Sequence, residues 1–108
     1  VFGAHEREPL TGFVMDFGGL KHVKAWLEDQ FDHTLLLDAS DPLLPQFQSL
    51  QEQGACKLTI FEDVGMEGTA HYVARYVSDW VLEEMQGRVF LVSVECREND
   101  KNSAYYVL

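Results

Sequence analysis

The chain has 108 residues, is 46% hydrophobic and 12% aromatic, and sets 18 acidic against 8 basic residues for a formal net charge of -10. This length fits one domain, residues 1–108, with a modest core. The acidic balance disfavours nucleic acid or an anionic membrane surface as partner, because both need clustered cations, and its plain physical use is solubility.

No apolar run is long enough to predict a membrane-spanning helix. Val1 to Glu6 lacks the basic and apolar regions of a signal peptide, and it lacks an initiator Met, so upstream residues are expected to be missing or to have been processed. The two cysteines, Cys56 and Cys96, stand in no metal-binding or redox spacing, and a reduced, cytoplasmic protein is expected.

Taken in order, Val1 to Gly3 reads as the tail of a strand and Ala4 to Leu10 as a loop. Thr11-Gly12 is a turn signal, and Phe13 to Phe17 is short, apolar and extended in character. Asp16 can accept from the free N–H groups of a first helical turn. A helix follows over Gly19–Phe31, with Leu20, Val23, Leu27 and Phe31 on one face. Asp32 to Ser40 reads as a connector.

Asp41-Pro42 predicts a helix start, continued by Leu43, Phe47 and Leu50 and stopped by Gly54. Lys57 to Phe61 is a short strand. The longest helix spans Glu67–Gln86, with Ala70, Val73, Ala74, Val77, Val81 and Met85 as its apolar stripe and Gly87 as its stop. Arg88 to Arg97 is a strand in which Val89, Leu91 and Ser93 share one face and Phe90, Val92, Val94 and Cys96 the other. Ala104 to Leu108 closes the chain as a strand antiparallel to it. Helices segregated from antiparallel strands predict an α+β fold with helices on one sheet face.

Asp32 and His33 are the first candidates for chemistry, since a carboxylate can orient an imidazole for proton transfer near neutral pH. The alternative is structural: neighbours on an extended chain point oppositely, and a histidine past a helix end can meet free carbonyls. Glu98, at the end of the best strand, can accept a ring N–H together with an exocyclic amine, or can be a solvated charge. Glu67 either faces a ligand or complements the dipole of the helix it opens. Cys56 and Cys96 read as ordinary residues rather than nucleophiles. His5, His22 and His71 share no metal spacing.

Together these segments resemble the 6-pyruvoyl-tetrahydropterin synthase and 6-carboxytetrahydropterin synthase family. Thr11 to Lys21 is similar to its TG-x-V-x-DF-x-x-LK segment, and Phe31-Asp32-His33 to its LDH. Val64 to Ala70 is similar to the start of its long helix, and Val92 to Glu98 followed by Asn102 to Tyr106 to its closing strands. The resemblance implies a tunnelling (T-) fold whose subunits form barrels, commonly homohexamers, with sites at subunit interfaces.

It further implies a pterin triphosphate substrate of the 7,8-dihydroneopterin triphosphate type. The 6-carboxytetrahydropterin synthase branch, towards queuosine, comes first; the alternatives are the pyruvoyl branch and a catalytically inactive pterin- or purine-binding assembly subunit. By resemblance His33 is a catalytic proton-transfer residue supported by Asp32, and Glu98 and Glu67 bind substrate. The triphosphate is left to Lys21, Lys24, Arg75 and residues from elsewhere. The family's zinc is implied, but its ligands belong to strands upstream of Val1, so this chain supplies no metal ligand. Gly65 and Met66 depart from the residues usual before Glu67.

Overall fold

A computed structural model describes residues 1–108. Its centre is the helix α3, Met66–Glu84, which buries Ala70, Ala74, Val77 and Val81. The expected stripe is therefore the packed one, because residues three and four apart share a helix face. Val77 and Val81 meet Val89 and Leu91 of the strand β4, Val89–Leu91, with Val73 and Met85 packed alongside. Fully burying each of Val81 and Val89 contributes about 1.5–3 kcal/mol. The helix ends two residues earlier than expected, at Glu84 with Met85 as its cap, and Gln86 (φ 51) already takes the left-handed conformation ahead of Gly87 (φ 79).

The first strand, β1, covers Phe2–Ala4 and pairs antiparallel with β4. After Val92 comes β5, Ser93–Arg97, antiparallel to β6, Ser103–Val107. β4 and β5 are one run interrupted at Val92. The Val92 N–H donates to the Val1 carbonyl, and its own carbonyl accepts from the Leu108 N–H.

The interruption changes which side chains face α3. Val89 and Leu91 do so before it, whereas Val94 and, across the ladder, Tyr106 pack on the same core after it. The strict alternation that groups Ser93 with Val89 and Leu91 is thereby overturned: one irregular residue shifts the parity of a strand.

The region between β1 and α3 departs further from expectation. Phe13 to Asp16 is irregular, with a bend at Val14 and Met15, and joins no sheet. Asp16 does cap, accepting from the Gly18 N–H at 2.9 Å, but the turn it opens, Phe17–Leu20, is a 3-10 turn. The helix α1, Lys21–Phe31, follows. Residues expected as a connector form a strand, β2, Leu35–Asp38, parallel to β3, Leu58–Phe61. Between them lies α2, Leu44–Glu52. Asp41 accepts from the Leu43 N–H in a turn before this helix, and Pro45 rather than Pro42 occupies its start. The protein is thus α+β, but one of its three two-stranded ladders is parallel, so an all-antiparallel sheet is not what the chain forms.

α1 lies against α3 through aromatic rings. Trp26 stacks on Tyr76 with centroids 3.9 Å apart, and Phe61 meets Tyr72 edge-on at 4.4 Å. The shape is elongated, 53 × 29 × 23 Å, with a radius of gyration of 16.5 Å. A compact chain of this length has about 13 Å. Apolar side chains remain on the surface, with Leu10 94% and Phe17 87% exposed.

Candidate functional site

Glu67, His71 and Arg75 follow one another at four-residue intervals along α3 and so share a face, away from the buried stripe. Beside that face opens a groove of about 520 Å³, reached also by Glu62, Asp63 and Tyr106. Its walls are fixed by packing. The ring of His71 stacks on Tyr106 at 4.5 Å. The Tyr72 hydroxyl donates to Gln30 Oε1 at 2.6 Å, and burial, then the nearby Asp29, pushes the Tyr72 phenol above its ordinary range.

The groove's acidic end depends on a glycine. A Cβ on Gly68 would lie 2.7 Å from both the carbonyl carbon and the Cβ of Asp63. Only a residue without a side chain lets the loop after β3 lie this close to the first turn of α3. That approach sets Asp63 beside Glu67. Across the helix, burial and then the Glu67 carboxylate push the Cys96 thiol above its ordinary value.

Asp32 and His33 lie outside this groove. Asp32 caps α1, its N–H donating to the Glu28 carbonyl. His33 has φ 51, and this left-handed conformation turns its ring back toward its neighbour. His33 Nε2 is 3.8 Å from Asp32 Oδ2, with the side chains 94% and 65% exposed. The opposed arrangement expected of an extended pair does not hold, but at 3.8 Å the two groups are near neighbours in solvent rather than hydrogen-bonded.

Glu98 is exposed at the mouth of the β5–β6 turn, where its N–H donates to the Asn102 carbonyl. A different carboxylate of that strand, Glu95, is the organised one. Burial pushes its pKa up, but the Ser103 and Tyr105 hydroxyls and Arg97 outweigh this and hold it below the ordinary 4.5. Arg97 Nε is 3.0 Å from it. Sequence reasoning passed over Glu95; the signal was its place between Ser93 and Arg97 on one strand face, opposite Tyr105.

The remaining histidines are separately engaged. His22 shares a 2.7 Å hydrogen bond with the Tyr76 hydroxyl, and His5 packs on Phe90. No three His, Cys, Asp or Glu side chains are grouped to hold a metal ion. The residues present do not fit a zinc site by themselves. No helix is long and apolar enough to cross a membrane.

The fold and groove define an α+β domain with an acidic, aromatic-lined cleft at the start of its long helix. The chain belongs to the 6-pyruvoyl tetrahydropterin synthase family, whose pattern matches residues 2–107. It is 28% identical over 99 residues to the 6-carboxy-5,6,7,8-tetrahydropterin synthase of Aquifex aeolicus (strain VF5), a match covering 86% of this chain. The chain spans 59% of that relative's length. Its fold is similar to a crystal structure of the uncharacterized protein WS1659 from Wolinella succinogenes, with a TM-score of 0.80 at 19% identity, over 98% of this chain and 72% of the other.

Proposed function

We propose that the protein is a lyase acting on 7,8-dihydroneopterin triphosphate, in the 6-carboxytetrahydropterin synthase branch of its family. The observation that carries the reading is the family match over residues 2–107, and the likeness to the Aquifex enzyme is the reason for preferring this branch. The groove supports it: a pterin is a flat ring edged with N–H donors, and Glu67 with Asp63 offers acceptors beside aromatic walls. Glu67 and Glu98 are the proposed ring-binding carboxylates, with Glu95 of β5 as a further acceptor.

In this reading His33 moves protons at the substrate side chain, and Asp32 holds the imidazole in the needed orientation. Triphosphate and acetaldehyde leave. A proton-transfer residue as exposed as His33 needs a cover to exclude water. We propose that other copies of the chain supply it in a T-fold homohexamer, which would also cover the surface apolar residues. Zinc, with ligands outside this chain, is proposed for the complete site, and a cytoplasmic location follows from a soluble substrate.

The test is a product assay on the full-length protein with zinc supplied and 7,8-dihydroneopterin triphosphate as substrate. Acetaldehyde and a 6-carboxy pterin are expected. A pyruvoyl product without acetaldehyde moves the protein to the pyruvoyl branch. Absence of any pterin product refutes the enzyme and leaves a binding or assembly subunit.

A further inference from the structure

We infer that Arg75 is the anion-binding residue of the α3 groove, gripping the phosphorylated end of a ligand whose ring lies toward Glu67. The inference rests on the pterin reading above and assigns a role to a residue that reading leaves undecided.

The argument starts from the scarcity of cations, eight in all. Lys57 is tied to Asp29, and Arg97 to Glu95. Arg88 donates to the Glu6 carbonyl. Lys101 sits in the β5–β6 turn among polar residues. Arg7, Lys21 and Lys24 do not line the groove. Arg75 alone does, and it has no ion-pair partner.

Its position is as telling as its charge. Arg75 also lines a second concavity of about 440 Å³ with Trp26, Tyr72, Tyr76 and Asp79. It therefore stands where one hollow runs into the next, away from Glu62, Asp63 and Glu67 and one helical turn from Asp79. Eight residues of helix separate it from Glu67, about 12 Å along the axis. The groove is bipolar: Glu62, Asp63 and Glu67 at one end repel phosphate and accept N–H groups, and a guanidinium at the other accepts phosphate in bidentate fashion. A bicyclic ring carrying a short phosphorylated side chain matches that polarity in one orientation only. His71, on Tyr106 between the two ends, is placed beside the linking chain.

The experiment compares neopterin with its triphosphate by fluorescence titration of the purified protein, wild type and with Arg75→Gln or Arg75→Lys. Arg75 is exposed, so both variants should fold, and circular dichroism checks this. Wild type should prefer the triphosphate. Arg75→Gln should lose about 10- to 100-fold for the triphosphate with neopterin affinity unchanged, and Arg75→Lys should keep part of the preference. A preference that survives Arg75→Gln, equal losses for both ligands, or no wild-type preference overturns the assignment alone. Wild type that binds neither ligand overturns the pterin reading and this assignment together.

Discussion

Gly68→Ala sets two effects of opposite sign against each other. In a helix, Ala is favoured over Gly by up to about 1 kcal/mol, so local propensity says the variant is more stable. The groove says otherwise. The new methyl would lie 2.7 Å from the carbonyl carbon and the Cβ of Asp63, and closer still to its carbonyl oxygen. Ordinary carbon contacts are about 3.5–4.0 Å, so the loop or the first turn of α3 must retreat. Most of the obstruction is backbone, which cannot swing aside as a long side chain can. Overpacking of this kind costs about 1–3 kcal/mol and occasionally more. The clash therefore wins, and net destabilisation of about 1–2 kcal/mol is expected. Urea unfolding followed by circular dichroism measures it as a lowered midpoint at unchanged slope. The same displacement separates Asp63 from Glu67, so pterin affinity should fall even in the fraction that remains folded. A midpoint at or above wild type would refute the close approach and, with it, the account of how the acidic end is built.

Other consequences concern the two remaining centres. His33→Ala should lower turnover about 10²- to 10⁴-fold if the imidazole transfers protons, with binding little changed. His33 already bears the Cβ strain of φ 51, as Ala would, so this variant changes backbone strain little. His33→Asn tolerates that conformation and should lose turnover at wild-type stability; an active His33→Asn enzyme ends the assignment. Glu95 has its folded acidity held below 4.5. The unfolded chain then takes up the proton first as pH falls, so this contribution to stability is present above 4.5 and is lost below it. Melting temperature should drop through that range, less steeply in Glu95→Gln, and identical slopes in the two proteins would contradict the network.

Much of the architecture is legible in the chain itself where a signal is local and long. The buried α3 stripe runs from Ala70 to Val81, about three turns, and each buried residue obeys its spacing. Asp16 and Gly87 also act as their types dictate, because a cap or a left-handed φ is decided within a few residues. The Asp32–His33 pair is visible as a motif, although its backbone twist is not.

Other features exist only once distant segments meet. Leu35–Asp38 is a strand because β3 lies parallel to it, and four apolar-rich residues carry no periodicity of their own. The parity of β5 is set at Val92 by hydrogen bonds to Val1 and Leu108, at the two ends of the chain. The groove is tertiary in the same sense. Glu67, His71 and Arg75 advertise a shared helix face, but nothing local says that Tyr106 and the Asp63 loop will close upon it. The sequence determines which side chains a helix presents, because that follows from its fixed geometry. Only the packed chain decides what they face, because burial against particular neighbours selects among arrangements that local geometry allows equally.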